Sequence, residues 1–264
     1  MLEARRHNFL AAFAVVREDA ALAWVDVSTG AVSVIRTSLA RLGAELARLT
    51  PSELLVSEAV FPDLSYLEPE MGISLTELSR ASFDSQSGQS MVKKTYSVSS
   101  LDAFGQFDRA DVGAMGALLS YLELTQKGKL PMLQFPRQEA VSGNVQIDSA
   151  TRRNLELTRS MSGGRAGSLL SVLDITQTAA GARLLERRLS NPSCDVRVIQ
   201  DRLDCASMCV ENSDLRADIR ASLSQTPDLE RALSRLSLER GGPRDLGSVR
   251  AALSQALSLS LIHI

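Results

Sequence analysis

The chain has 264 residues, of which 44% are hydrophobic and 23% charged, and its formal net charge is −2. This length predicts two domains, each with enough chain to bury a core. The composition excludes a disordered or fibrous protein, and the small net charge excludes a large, strongly basic nucleic-acid-binding face.

The charges are distributed unevenly along the chain. Residues 1–108 contain 9 basic and 14 acidic side chains, whereas residues 109–264 contain 20 and 17, so the two halves resemble different modules. No apolar run reaches the length of about 18 residues that a membrane span requires. Arg5-Arg6 precede an apolar stretch, but no small-residue cleavage site of a secretion signal follows. We therefore expect a cytoplasmic protein without a membrane segment.

The first elements in chain order are strands. Phe9–Val16 is an apolar run typical of a central strand, Leu22–Val27 alternates more loosely, and Ala31–Ile35 supplies its partner strand. Ser28-Thr29-Gly30 predicts a hairpin turn between the latter two, because glycine adopts the positive φ that such turns require. Three antiparallel strands are expected.

A helix and a further strand follow the predicted hairpin. Ser38 is a candidate N-cap, and leucines 39, 42, 46 and 49 form one stripe at helical spacing before Thr50-Pro51 ends the helix. Glu53–Val56 predicts the next strand. The order β-β-β-α-β indicates an α/β domain with a mixed sheet.

The rest of the first domain is less regular in its pattern. Prolines and the segment SFDSQSGQS predict surface turns, short helices and loops over residues 62–108. Ala110–Gln126 predicts a helix, and Gly128, Pro131 and Pro136 mark the connection out of this domain. We place the α/β domain at residues 1–127.

From Asp148 onward the pattern is almost purely helical, so residues 128–264 predict an all-α domain. Helices are expected from Asp148 to Met161, from Thr178 to Leu189, from Asp195 to about Val210, and from Thr226-Pro227 to Gly241. The third of these should turn one apolar face inward, formed by Val196, Ile199, Leu203, Ala206 and Val210.

Cysteines and histidines offer no recognisable chemistry. Cys194, Cys205 and Cys209 lack zinc-type spacing, so we expect buried small hydrophobic side chains rather than metal or redox sites. His7 and His263 lie at opposite ends of the chain, which leaves no basis for a histidine relay.

Three segments of the second half together resemble one known family. They are residues 147–159 (IDSATRRNLELTR), residues 168–192, which end in TQTAAGARLLERRLSNP, and residues 226–246 (TPDLERALSRLSLERGGPRDL). In this order, they are similar to the start of the core domain of MutS-type DNA mismatch-repair proteins. The β-β-β-α-β order, the hairpin D-V-S-T-G and TPSELLVSE (50–58) resemble the connector domain of the same family.

The resemblance implies an RNase H-like α/β connector domain followed by the first part of an incomplete helical core. It implies a whole protein that binds mismatched double-stranded DNA, hydrolyses ATP with Mg²⁺, recruits MutL and forms a homodimer. The tail ALSLSLIHI (256–264) does not resemble the family. We therefore expect the native chain to continue in both directions, and the tail to be uninformative about function.

The functional motifs of such a protein are not found in this sequence. No G-x-x-x-x-G-K-[ST] phosphate-binding loop occurs, and no F-x-E triplet of the family's mismatch reader occurs. We therefore expect no catalytic residue, cofactor or metal in this part of the protein, which would link the mismatch-binding and ATPase modules and would itself not be an enzyme.

Two groups of arginines are the remaining candidates for contacts. Arg152 and Arg153 are adjacent, and we expect a salt-bridged structural position for them, with DNA-backbone or interdomain contact as the alternative. Arg183, Arg187 and Arg188 predict a solvated helix face, with Glu186 offsetting the crowded charge.

Two other functions remain open from the sequence. An RNase H-like nuclease would need several carboxylates around Mg²⁺. Asp26 lies in a predicted strand and Glu58 ends another, but no third and fourth inward acid is found, and Asp26 can equally support the turn at Ser28-Thr29-Gly30. A free-standing helical scaffold or adaptor with an α/β cap is the other alternative.

Overall fold

The computed structural model describes residues 3–126 and 130–261, with Leu261 described in its backbone only. The chain forms two compact units. The α/β unit comprises residues 8–141 and 147–149. The helical unit comprises the described parts of residues 1–7, 142–146 and 150–264. Gly128, the predicted boundary between residues 127 and 128, and His263 lie outside the described residues.

The α/β unit is built on one mixed sheet. Its strands are β1 (Phe9–Val16), β2 (Asp19–Asp26), β3 (Ala31–Thr37), β4 (Glu53–Ser57), β5 (Ser74–Leu78) and β6 (Arg137–Glu139). They lie in the order β5-β4-β1-β2-β3-β6. The first three strands pair antiparallel, whereas β4 is parallel to β1, β5 to β4, and β6 to β3. The predicted mixed sheet is confirmed.

Helices cover both faces of this sheet. They are α1 (Leu39–Leu49), α2 (Phe61–Leu64), α3 (Leu67–Met71), α4 (Ser85–Tyr96) and α5 (Arg109–Thr125), with a 3₁₀ turn at Arg80–Phe83. Alternation along β1 sends Ala12 and Ala14 into the core that α5 joins, and Phe13 into the core that α1 joins. The sheet is therefore buried on both sides.

The hairpin turn between β2 and β3 has the predicted glycine conformation. Gly30 has φ +75°, and its amide donates to the Asp26 carbonyl at 2.8 Å. The Gly30 carbonyl in turn accepts the Gln134 amide at 2.8 Å. This contact holds the chain against the turn before β6 begins.

The prediction for residues 62–108 was wrong in two places. Ser74–Leu78 is a strand of the sheet, and Ser85–Tyr96 is a twelve-residue helix where SFDSQSGQS predicted turns. Asp84 caps that helix by accepting the Gln86 amide at 3.2 Å. Packing of α4 against α5 through Gly88 outweighs the low helix propensity of its serines.

The helical unit follows the predicted all-α pattern with changed boundaries. Its described helices are α6 (Ser149–Asn154), α7 (Leu169–Leu173), α8 (Ala179–Ser190), α9 (Val196–Glu211), α10 (Ser213–Ser224), α11 (Leu229–Ser237) and α12 (Pro243–Leu261). The first helix ends at Asn154 rather than Met161, and Glu156 beyond it has φ +47°. Turns, not a helix, connect α6 to α7.

The apolar face predicted for residues 195–210 is not buried. Val196 and Val210 are each 74% exposed and Leu203 is 55% exposed. The periodicity therefore gave the correct helix, since α9 spans Val196–Glu211, but its stripe is not covered by any described part of the chain. Six residues of the predicted tail, 256–261, continue helix α12.

Candidate functional site

The two arginines predicted as contact residues lie on α6 and have different surroundings. Arg152 is buried, and its Nη1 donates to the carbonyl of Ser190 at 2.8 Å. Ser190 is the last residue of α8, where a guanidinium satisfies a free helix-end carbonyl. Arg153 is exposed to solvent. Arg152 thus joins two helices, whereas Arg153 presents its charge outward.

Arg183 was predicted on a solvated face, and this prediction was wrong. Its side chain is only 3% exposed, and its Nη1 and Nη2 pair with the two carboxylate oxygens of Asp228 at 2.7 and 3.1 Å. Asp228 also caps α11, because its Oδ1 accepts the Arg231 amide at 3.4 Å. A buried guanidinium is retained here because a forked pairing with a carboxylate offsets its desolvation.

The other two arginines of α8, Arg187 and Arg188, are exposed as predicted. Partial desolvation, together with the nearby charges of Arg202 and Arg187, lowers the pKa of Arg188. Glu186, on the same helix, is desolvated, which raises its pKa, while Arg6, His7 and Arg165 act in the opposite direction. The positive charges that favour ionised Glu186 thus include groups from outside α8.

Asp174, directly after α7, is a site residue that the sequence did not single out. Its carboxylate accepts hydrogen bonds from Arg5 Nη2 at 2.7 Å and Thr176 Oγ1 at 2.6 Å, and also pairs with Arg165. Burial opposes its ionisation, but these bonds from Thr176 and Arg5 hold its pKa below the ordinary value of 3.8.

No local sequence signal identifies the ion pairs of Asp174 and Arg183. Arg5 and Asp174 are 169 positions apart, and Arg183 and Asp228 are 45 apart. Asp228 could have been found as a helix cap, since it directly precedes the L-E-R stretch that opens α11. Its ion pair with Arg183 follows only from the tertiary fold.

The acids considered for nuclease chemistry serve structural bonds. Asp26 is fully buried, and its Oδ1 accepts the Ser28 amide at 2.9 Å and the Ser28 hydroxyl at 2.6 Å. The sequence interpretation of Asp26 as a turn support is confirmed. Glu58 Oε1 accepts the Arg80 amide at 3.1 Å. Within residues 3–126 and 130–261, no group of three or more metal-ligating side chains is found.

The cysteines do not lie where the sequence predicted. Cys194 and Cys205 are exposed and Cys209 is half-buried, and all three are free thiols. Helix α9, which carries the last two, has no buried face, so its apolar residues do not form a core around them.

Among the described residues, the helices do not combine the length and apolar character that a membrane span requires.

Comparisons with known protein families assign a class to each unit. Residues 8–134 match the family model of MutS domain II, and residues 150–263 match that of MutS domain III. The first range contains five of the six strands of the sheet, and the second contains helices α7 to α12. The chain is thus built from two consecutive domains of one kind of repair protein.

Whole-chain relatives agree with this class. The chain is 57% identical to the DNA mismatch repair protein MutS of Ruegeria pomeroyi, over 99% of this chain and 30% of that protein. It is 55% identical to the protein of the same name from Cereibacter sphaeroides, over 98% of this chain and 29% of the relative. The chain belongs to the MutS family of DNA mismatch-repair proteins, and it spans about 30% of the length of these relatives.

Proposed function

We propose that this chain is the connecting part of a MutS protein, joining a mismatch-binding region to an ATPase region. The observation that carries the proposal is that chain segments before and after the main part of the α/β unit both belong to the helical unit. Residues 3–7 and 142–146 belong to the helical unit, whereas residues 8–141 and 147–149 belong to the α/β unit. The chain therefore passes between the two units four times. A module inserted in this way suits a part that transmits movement.

Main-chain hydrogen bonds fix residues 142–146, where the chain first returns to the helical unit. The Val145 amide donates to the Pro192 carbonyl at 2.8 Å, and the Cys194 amide donates to the Gly143 carbonyl at 3.0 Å. Asn144 and Ser193 form an antiparallel bridge between the same segments. These bonds tie residues 142–146 to the chain between α8 and α9.

We further infer that the α/β unit has an RNase H-like fold. Three antiparallel strands followed by two parallel ones, in the order β5-β4-β1-β2-β3, support this assignment. The fold is proposed without nuclease activity, since Asp26 is occupied by its turn. Incubating the chain with Mg²⁺ or Mn²⁺ and a labelled RNA–DNA hybrid tests this; cleavage that Asp26→Asn abolishes would favour the nuclease.

For the full-length form we propose three partners: mismatched double-stranded DNA, MutL and a second copy of the whole protein. ATP and Mg²⁺ would be bound outside this chain, because the sequence contains no phosphate-binding loop. In this proposal the chain by itself neither recognises a mismatch nor hydrolyses ATP.

The decisive experiment compares DNA binding by this chain and by a version extended at both ends to the length of its relatives. We expect only the extended protein to prefer mismatched over perfectly paired duplex and to release it with ATP. Mismatch-selective binding by the 264-residue chain alone would contradict the proposed division of roles. A native reading frame that starts and stops at the ends of this chain would instead favour a free-standing scaffold.

Any DNA binding by the chain itself should be weak and strongly dependent on salt. We place a backbone phosphate contact at Arg153, which is exposed, rather than at Arg152, whose guanidinium is bonded to Ser190. Arg153→Ala should lower the slope of log affinity against log salt by about 1. Arg250→Ala, an equal charge change at an exposed position of α12, is the control and should leave the slope unchanged.

A further inference from the structure

The helical unit contains a short stretch from the very start of the described chain, Glu3–His7, here called the N-terminal segment. Two arginines bind its main chain. Arg231 Nη1 donates to the Glu3 carbonyl at 3.0 Å and its Nη2 to the Arg6 carbonyl at 2.5 Å. Arg183 Nη1 donates to the Ala4 carbonyl at 2.9 Å. Three carbonyls of the segment are thus held by two guanidinium groups.

Both guanidinium groups are buried in the helical unit. The side chains of Arg183 and Arg231 are 3% and 9% exposed. Asp228 forms the forked pair with Arg183 and forms a longer ion pair with Arg231, whose Nε lies 3.8 Å away. Because Arg183 is ordered by its carboxylate, it loses little entropy when it binds a carbonyl, which favours tight docking. We call Arg183, Asp228 and Arg231 the arginine clamp.

The segment also contributes side chains to its own docking. Arg5 Nη2 binds Asp174 at 2.7 Å and Thr176 Oγ1 at 2.7 Å. His7 Nε2 lies 3.3 Å from the Arg183 carbonyl. The clamp binds main-chain atoms that any residue would supply, whereas Asp174 selects an arginine at position 5. Together the contacts define a peptide site with one sequence-specific position.

We propose that this site is a docking site for the N-terminal segment, which tethers the residues upstream of Glu3 directly to the helical unit. Movement upstream then reaches α8 and α11 through the clamp without passing along the α/β unit. The docking stands on the contacts above; the transmission of movement rests in addition on the proposed function. Breaking the dock leaves buried guanidinium groups without the carbonyls they bind, so the segment stays docked as a tether rather than moving as a free linker.

Trypsin provides a direct test on the 264-residue chain, because it cleaves after Arg6 only when the segment leaves its site. Asp174→Asn removes the charge that binds Arg5, and we expect cleavage after Arg6 to become at least tenfold faster. The matched control is Asp245→Asn, which removes an aspartate paired with Arg235 in the same unit, away from the segment. Equal cleavage rates in wild type and Asp174→Asn, or equal acceleration by the control, would overturn the docking.

A second variant separates undocking from unfolding. Arg5→Ala changes only the segment and leaves every residue of the clamp in place, as well as the cleavage point after Arg6. Amide hydrogen exchange should accelerate in residues 4–7 of this variant, while exchange in α8 and α11 changes less than twofold. Acceleration spread equally over the whole helical unit would mean that Arg5 supports the fold and that no separate docking site exists.

The tether is tested in the extended protein. Arg5→Ala should leave the preference for mismatched DNA intact while changing the rate of ATP-triggered release at least threefold. An unchanged release rate, in a variant shown by trypsin to be undocked, would refute the tether. Failure of the wild-type extended protein to prefer a mismatch would refute the proposed function instead, so the two failures are distinguishable.

Discussion

Two glycines determine how closely the main helices of the α/β unit approach each other. A Cβ added at Gly116 of α5 would overlap the Cα of Gly88 in α4, and one added at Gly88 would lie 2.5 Å from the Val112 carbonyl oxygen. The neighbouring atoms are main chain, which cannot turn aside as a flexible side chain can. These two residues are therefore required for packing rather than for a special backbone angle.

We expect Gly116→Ala to destabilise the α/β unit by about 1–3 kcal/mol, because the added methyl group forces the two helices apart. Gly43→Ala in α1 is the matched control, since beyond its chain neighbours and its own helix backbone no atom lies within 4 Å of the added Cβ. That change should stabilise by about 0.4–1 kcal/mol through the lower entropy of the unfolded chain. Urea unfolding of both variants provides the measurement; a Gly116→Ala variant as stable as wild type would contradict the close contact.

The buried carboxylate of Asp174 makes part of the stability dependent on pH. Arg5, Arg165 and Thr176 surround it. Burial raises its pKa, but the hydrogen bonds from Thr176 and Arg5 outweigh burial and hold the pKa below 3.8. A carboxylate with a lowered pKa in the folded state stabilises the protein above its ordinary pKa, and this contribution is lost as the pH falls through the lowered value. Asp174→Asn should therefore be less stable than wild type at neutral pH. The difference should shrink below about pH 4.

Unfolding free energies of wild type and Asp174→Asn, measured in urea from pH 7 down to about pH 3, test this dependence. Taking the difference between the two proteins cancels the carboxylates that they share. A gap that stays constant across this range would show that the charge of Asp174 contributes nothing and that the loss comes from the exchanged hydrogen-bonding groups.

At the scale of elements, helix caps connect local sequence with tertiary contacts. Thr178 and Asp195 were recognised in the sequence as helix starts, and in the structure both are N-caps. Thr178 Oγ1 accepts the Gly181 amide at 2.9 Å, and Asp195 Oδ1 accepts the Arg197 amide at 2.9 Å. Asp228 combines the same local role with the ion pair to Arg183. The sequence could have predicted the cap, but not the ion pair with Arg183.

The difference between these two kinds of cap is measurable. Asp195→Ala at an exposed cap should cost about 1 kcal/mol, the usual value of an N-cap bond. Asp228→Ala should cost about 3–5 kcal/mol, because it also leaves the buried Arg183 without its carboxylate. Urea unfolding followed by far-UV circular dichroism compares them. Equal losses would show that the ion pair adds nothing to the cap.

The elements that the sequence missed share one cause. Periodicity predicted β1, β3, α1 and α9 because their patterns are local, and the order β-β-β-α-β predicted the mixed sheet. Helix α4 and strand β5 have weak patterns of their own and depend on partners distant in the chain. The same holds for the site: Arg152 and Arg153 were found as an adjacent pair, whereas the clamp joins residues 183, 228 and 231 with the N-terminal segment.

For the whole molecule, apolar burial is concentrated in the α/β unit. There the sheet is covered on both faces, and Phe13, Leu22 and Met115 are almost completely buried. In the described helical unit, no residue of α9 or α10 is buried. Because burial of apolar surface supplies most of the stabilising free energy, the two units should differ strongly in local stability.

We expect hydrogen exchange to resolve this difference in the intact chain. Amides of β1 and β2 should require an opening free energy at least ~3 kcal/mol above that of α9 and α10, which slows their exchange by about a hundredfold. Residues near the clamp, in α8 and α11, should fall between these extremes, because their buried ion pair and hydrogen bonds replace an apolar core only in part. Protection of α9 equal to that of β1 would mean that its exposed stripe, with Val196 and Val210, is covered in solution. Repeating the measurement over a range of protein concentrations would then show whether a second copy of the chain covers it.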